Sequence, residues 1–316
     1  MNNGRFGIWL IGAWGRIGTA TAAGLAALQG RFFDAAGLVS DLPQFARLDL
    51  VDWECFVLGG HEIRRTSYRV EARSLLTSSP LFAAERLEKT AFTLDAFDKN
   101  VRTGTLINVG AAIESLATPA TRKTRGERPR TAIERIMIDL REFRVSQTLE
   151  HVIVVNLAST EAPATPEAIG LTWPELARVL DQAERSPLPA STLYAAAAMQ
   201  AGCSYINFTA SLGSDLPAFG ELAAATGTLH MGRDGETNET PLTDLRAPLW
   251  RDCDSVRGAA SVLDLARFAE REHRRGNSGL MTFLSPFFKC PMGTETDEFR
   301  GRLARLESWA DDVSRE

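Results

Sequence analysis

The sequence predicts an α/β fold, a doubly wound parallel sheet with helices on both faces. Three observations point to it. Short apolar runs of strand length alternate with longer helical stretches along the chain, and that alternation builds parallel sheets joined by helical crossovers. The first apolar run ends in a glycine-rich turn that opens a helix. The 316 residues are 44% hydrophobic and 24% charged, enough for one large domain or two smaller ones with a core that needs no disulfide staples.

Taken in order, residues 6–11 (FGIWLI) predict a buried strand, short, wholly apolar and closed by glycine. Residues 16–28 predict an Ala-rich helix suited to close packing. Further strands are predicted at 35–40, 55–60, 105–110, 151–159 and 204–209, and helices at 173–185 and 191–202. Residues 257–275 read as a strongly amphipathic helix stopped by Gly276. The Thr/Arg-rich segment 112–135 lacks periodicity and predicts a mobile excursion. The apolar N-terminal stretch is broken by glycines and followed at once by Arg16, which opposes a secretory signal. No run approaches the roughly 18 apolar residues that span a bilayer.

The net charge is −5, with both signs interleaved. That excludes nucleic acid as a main partner, because such binding needs a concentrated basic face. The one basic cluster, 121–130, reads as a solvated loop. Cys55, Cys203, Cys253 and Cys290 form no C-x-x-C pair and no zinc spacing, so free thiols in a reducing cytoplasm and no metal are expected.

Gly12, Gly15 and Gly18 follow the first strand at G-x-x-G-x-x-G spacing. Glycine there permits a tight turn and lets backbone approach a pyrophosphate, while the helix start offers unpaired N–H groups and a positive dipole end. The pattern predicts a Rossmann-type dinucleotide site. An acidic residue then meets the ribose hydroxyls. Asp41 stands after the predicted second strand and Glu62 after the third, and the residue pattern leaves both open. Arg64 and Arg65 follow Glu62, but no arginine is placed for a 2′-phosphate, which favours NAD over NADP.

Several strings carry a wider likeness, in chain order: GIWLIGAWGRIGTA, GLVSDLPQFARLDLVDWECFVLGGHEI, VVNLASTEA, PASTLYAAAAMQAGCSYINFT, GRDGETNET, DCDSVRGAASVLDLARFAEREHRRG and FFKCPMG. Together they cover most of the chain and resemble the myo-inositol-1-phosphate synthase (inositol-3-phosphate synthase) family in its bacterial form. The resemblance implies an isomerase of inositol and phospholipid biosynthesis that converts glucose 6-phosphate to inositol phosphate with tightly held NAD, by oxidation, enolisation, aldol closure and return of the hydride. Gly12, Gly15, Arg16, Ile17 and Gly18 would cradle the pyrophosphate, and Glu62 would take the ribose. Asn156, Ala158, Ser159 and Thr160 would line the cofactor. Asp234, Asp254 and Ser255 would sit near the nicotinamide. Thr237, Asn238, Glu239 and Thr240 match the loop for the sugar phosphate. Lys289 matches a catalytic lysine, with Asp254 beside the chemistry.

The sequence also departs from that pattern. Asn238 replaces a glycine of the phosphate loop, and Thr243 stands where a lysine follows it. The family's long stretch between APLF-like and CDS-like strings, with its lysines and assembly strands, is missing at 243–252. The expected organisation is therefore an NAD-binding domain over 1–242, a seam at 243–252, and a return to that domain over 253–316, with most of the family's second α+β domain absent. The lysines are Lys89, Lys99, Lys123 and Lys289. Arg246 and Arg251 could supply charge near the seam, and His61 and His230 are the candidate bases. Two alternatives stand beside the synthase reading: an impaired NAD-binding protein of the same family, and an NAD-dependent dehydrogenase of a sugar phosphate. Loss of the assembly strands predicts a monomer or dimer rather than a tetramer. It also makes 283–288 (FLSPFF) a candidate exposed apolar patch.

Overall fold

Strand β1 (Phe6–Ile11) is buried along its whole length. Its alternate side chains enter two different cores: Ile8 and Leu10 one, Trp9 and Ile11 the other. A strand buried on both faces is what a sheet covered by helices on each side requires. The computed structural model describes residues 4–32, 35, 38–75, 79–161, 168–237, 253–294 and 298–316.

Among these residues the sheet has seven strands, all parallel, in the order β3-β2-β1-β4-β5-β6-β7. The others are β2 (Phe56–Glu62), β3 (Val101–Thr103), β4 (His151–Asn156), β5 (Ser204–Asn207), β6 (Leu229–Gly232) and β7 (Gly279–Leu280). The helices are α1 (Arg16–Gln29), α2 (Tyr68–Ser74), α3 (Ala84–Asp98), α4 (Ala111–Ser115), α5 (Pro129–Ser146), α6 (Trp173–Gln182), α7 (Ala190–Gln200), α8 (Pro217–Thr226), α9 (Asp254–Arg274) and α10 (Phe299–Val313). The chain runs outward from β1 to β3, then returns past β1 to β4. Strand order therefore reverses between β1 and β4, where Ile11 pairs Asn156 on one side and His61 on the other. Crevices at such a reversal, beyond the carboxyl ends of the strands, are where open α/β sheets bind ligands.

One core holds α1, α3 and α9, and the other holds α5, α7 and α8. Small residues set the spacing: α7 buries Ala195, Ala196, Ala197 and Ala198 in succession, and Gly258 of α9 faces Ile17 of α1 so closely that a Cβ would lie 3.0 Å from its Cδ1.

Four expectations are corrected. Residues 35–40 are not a strand where they are described: Val39–Asp41 is a 3-10 turn. Its backbone donors go to a side chain instead of a ladder, Val39 N–H and Ser40 N–H donating to the two carboxylate oxygens of Asp264 at 3.1 and 2.9 Å. The second strand is consequently 56–62. Residues 105–110 also form no strand, and β3 ends just upstream. There Thr105 N–H donates to the Tyr194 hydroxyl, Leu106 N–H to Thr124 Oγ1, and Asn108 and Gly110 adopt positive φ.

The segment 112–135 is ordered as α4, a 3-10 turn at Thr121–Gly126 and the start of α5. Its threonines close those turns, Thr121 N–H donating to Thr118 Oγ1 and Thr124 Oγ1 to the Thr121 carbonyl, and Pro129 opens α5 where its missing N–H costs nothing. Finally, the apolar run 283–288 is covered. Phe283, Leu284, Phe287 and Phe288 are buried, and Phe283 stacks on Trp309 of α10 with ring centres 4.2 Å apart. Residues 238–252, which contain the proposed seam with Thr243, Arg246 and Arg251, lie outside the described residues.

Helix α9 pins the 38–53 segment through more than Asp264. Arg267 Nε donates to the Val51 carbonyl and its guanidinium lies 4.4 Å over the Trp53 ring, while Arg271 Nε donates to the Leu48 carbonyl. Asp264 is fully buried, so Asp264→Ala strands two backbone donors. Urea unfolding is expected to show a loss of about 2–5 kcal/mol; a loss below about 1 kcal/mol would contradict this role.

Candidate functional site: a cleft at the strand reversal

The cleft opens beyond the carboxyl ends of β1, β2 and β4 and has a volume of about 250 Å³. Its floor begins with the turn after β1. Gly12 N–H and Ala13 N–H both donate to the His61 carbonyl, at 2.9 and 3.2 Å, and Gly12 takes φ +80°. A Cβ on Gly18 would collide with the Ala13 carbonyl, so glycine there lets α1 start directly against the strand end. Gly15 is the N-cap and contributes no side-chain cap. Thr19 N–H is the first to bond back into the helix, to the Gly15 carbonyl. The N–H groups of Arg16, Ile17 and Gly18 thus have no hydrogen-bond partner among the described residues. An uncapped helix start beside a cleft is an anion site by geometry and by dipole.

Glu62 ends β2 and forms the adjoining wall. Its carboxylate accepts Trp14 N–H at 3.0 Å and Ile63 N–H at 2.8 Å, tying the glycine turn to β2. Arg64 also contacts it, 3.2 Å from Nη2 to Oε2, and reaches Glu71 at 3.6 Å. Asp41 stands in the 3-10 turn of 39–41 and is no part of the cleft wall. Of the two acids left open by the sequence, geometry places Glu62 at the cleft.

Beyond β4 the wall continues with Leu157, Ala158, Ser159 and Glu161. Asn156 lies beneath: its Oδ1 accepts Ala158 N–H at 3.2 Å, and its Nδ2 donates to Asn207 Oδ1 at 3.1 Å. Thr160 is exposed and not in the wall. Across the helix start, Arg16 Nε donates to Ser255 Oγ at 3.3 Å, which brings the N-terminus of α9 onto that of α1. Asp254 is exposed there and pairs with Arg257, whose Nε donates to the Thr237 carbonyl at 2.6 Å.

A second cluster sits beyond β5 and β6. Lys289 Nζ is 3.7 Å from Asp234 Oδ1, and Lys289 N–H donates to the Asp234 carbonyl at 2.7 Å. Asp234 N–H donates to the Thr209 carbonyl, and Thr209 Oγ1 bonds Asn207 Oδ1. A polar chain therefore runs along the sheet edge from Asn156 to Asp234, but Lys289 and Asp234 are not part of the cleft wall. Asn238, Glu239 and Thr240 lie outside the described residues.

The two candidate bases are corrected. Trp9 Nε1, a donor only, bonds His61 Nδ1 at 2.9 Å. Nδ1 must then be the acceptor, and Nε2–H is left to Asp139 Oδ2 at 3.0 Å. Both ring nitrogens are consumed inside the protein, and burial pushes the imidazole below its usual value despite Asp139. His230 is likewise buried, with Nδ1 3.1 Å from Ser214 Oγ. Sequence reasoning weighed Arg64 without placing it, and missed Trp14, Glu161 and Tyr194 in this wall. Glu161 and Trp14 stand inside the quoted strings; Tyr194 reads as helix core in the sequence.

Fold and cleft define the class: a Rossmann-type α/β protein with a crevice at its strand reversal. The Myo-inositol-1-phosphate synthase family model matches residues 40–310, and the chain belongs to that family. Among solved structures, inositol-3-phosphate synthase from Caenorhabditis elegans superposes with a TM-score of 0.76 at 15% identity, covering 98% of this chain and 86% of that one. A myo-inositol-1-phosphate synthase-related protein from Thermotoga maritima gives a TM-score of 0.67 at 14% identity, over 97% and 98% of the two chains. At these identities the likeness shows the fold. Comparison with curated proteins gives no match. No helix among the described residues is long and apolar enough to cross a membrane.

Burial pushes the His230 imidazole down to about 4. The unfolded chain takes up that proton near the ordinary value of about 6.5. Stability is therefore complete above about pH 6.5 and is lost as pH falls toward 4, by up to about 3 kcal/mol from this residue. His230→Gln is expected to flatten the pH dependence of urea midpoints over that window; an unchanged slope would contradict the assignment.

Proposed function

We propose that this chain holds NAD across the strand reversal and uses it on a sugar phosphate, in the redox-neutral conversion of glucose 6-phosphate to inositol 3-phosphate. The observation that carries the reading is the uncapped first turn of α1 at a cleft whose β2 end bears Glu62. Gly12, Gly15, Arg16, Ile17 and Gly18 would hold the diphosphate by backbone N–H groups. Glu62 would accept the ribose hydroxyls, with Arg64 shifting its weight to Glu71. Because Arg64 is already held by two carboxylates, it is poorly placed to take a 2′-phosphate, which supports NAD over NADP. Ala158, Ser159 and Ser255 would flank the nicotinamide end.

When bound, NAD supplies a hydride acceptor that gives the hydride back at the end of the cycle. The chain must then stabilise negative charge on the substrate. Lys289 would do so from the β6 side, with Asp234 holding it and Thr237, Asn238, Glu239 and Thr240 taking the phosphate. Preorganised charge at a developing oxyanion is worth about 10²–10³ in rate. Lys89 pairs with Glu85 at 2.7 Å on α3, Lys99 caps α3 and Lys123 lies in the 121–126 turn, so none of them serves the cleft. That scarcity favours a second reading, in which the reaction ends at the oxidised sugar phosphate and NADH accumulates. We further propose a monomer or dimer in place of a tetramer.

Three measurements test this. Calorimetry is expected to show NAD binding, weakened at least about tenfold by Gly15→Val, since Gly15 lines the cleft and a Cβ there would lie 3.0 Å from the Gly12 carbonyl oxygen; no heat with the native chain would refute the proposal. With glucose 6-phosphate, Lys289→Ala is expected to lower turnover about 10²–10³-fold with NAD affinity unchanged. Inositol phosphate as product supports the first reading, and stoichiometric NADH the second. Sedimentation should show no tetramer; a stable one would contradict the assembly proposal.

A further inference from the structure

Glu161 stands in the loop after β4, five residues past Asn156, and lines the cleft. Its carboxylate accepts the N–H of Ser191, in the first turn of α7, at 2.9 Å, and its own N–H donates to Ser211 Oγ at 3.1 Å. The first contact ties the side chain to the start of α7, and the second ties its backbone to the loop after β5. Among the described residues no cation pairs with it. The titratable groups that couple to it are Tyr194 of α7 and Tyr205 of β5, both kept protonated by burial. The charged groups of the same cleft, Arg16, Glu62, Arg64 and Glu71, belong to its β1 and β2 side. A carboxylate has thus been carried into a sparsely solvated wall with only Ser191, through its N–H and its hydroxyl, to hold its charge.

Resting on the cofactor reading above, we propose that Glu161 is the proton acceptor for the substrate hydroxyl that is oxidised, and the donor that returns the proton when the hydride comes back. The balance is simple. The C–H electron pair of the alcohol carbon leaves as hydride for the oxidised nicotinamide. The O–H pair becomes the second bond of the carbonyl. The proton forms a new O–H bond on the Glu161 carboxylate. On reduction each of these steps reverses, so the residue ends in its starting state. Burial, against the opposing hydrogen bonds from Ser191, pushes the carboxyl up to about 7, where a group serves equally as acid and base at neutral pH. His61 has both nitrogens consumed, and Lys289, paired with Asp234, is given above to the developing oxyanion, which leaves this role to Glu161.

The test does not depend on turnover alone. NAD⁺ and NADH are titrated into the native chain and Glu161→Gln at pH 7, in two buffers of different ionisation enthalpy. The cationic ring of NAD⁺ should expel the proton, so the native chain is expected to release up to about half a proton with NAD⁺ and none with NADH. Glu161→Gln should release none with either, while binding NADH within about threefold of the native affinity. With glucose 6-phosphate, the variant should lose at least about 10²-fold in kcat and the acidic limb of its pH profile, and Glu161→Asp should recover part of both. Heat of binding with equal proton release in native chain and variant overturns the role of Glu161 alone. An unaltered pH profile does the same. No heat with either nucleotide on the native chain overturns the cofactor reading, and this proposal with it.

Discussion

The cleft depends on one carbonyl. The oxygen of His61, near the end of β2, receives the N–H groups of both Gly12 and Ala13, and so fixes where β1 turns and where α1 begins. The side chain of the same residue is locked between Trp9 and Asp139, which prevents β2 from sliding or twisting relative to β1. Glu62, the next residue, adds a third link by accepting Trp14 N–H. Trp14 is held again by its indole, Nε1 donating to Asp98 at 2.7 Å. Three backbone donors at the head of α1 are left unspent because they precede the first bond back into the helix and Gly15 offers no side-chain cap. Their availability follows from the register of two strands.

Chain segments distant in sequence complete this arrangement. Helix α9 lies on α1 through Gly258 and Ile17, and its first turn meets Arg16 through Ser255. Its later turns hold the 38–53 segment through Asp264, Arg267 and Arg271. One helix therefore fixes the cofactor end of α1 and also organises the segment that leads into β2. The polar chain Asn156–Asn207–Thr209–Asp234 then relates the cleft to Lys289 three strands along the sheet. A reaction needing both a hydride site and a stabilising cation would be spread along this edge.

Much of this was legible in the sequence, where local pattern and final structure share a cause. The β1 run ends at Ile11 as its apolar residues do, and the helix opens at Arg16 because glycine permits the turn. Residues 35–40 misled because they carry a strand composition whose backbone donors are taken by Asp264, a residue more than two hundred positions away. No local pattern contains that information. The same is true of 105–110, whose donors go to Tyr194 and Thr124. His61 looked like a base because its type is chemically versatile; only the Trp9 indole, a donor with no acceptor capacity, shows which nitrogen is spent. Glu161 was hidden for the opposite reason, since an acid after a strand is unremarkable until its burial in the cleft wall is seen.

The central claim is that the free N–H groups heading α1 are the grip on a dinucleotide diphosphate. Amide hydrogen exchange with and without NAD tests it most directly. The account expects exchange over residues 12–18 to slow on adding NAD, by at least about tenfold at Arg16, Ile17 and Gly18, with little change in β6 or α10. Unchanged exchange at those three amides under saturating NAD, or protection confined to another part of the sheet edge, would contradict it.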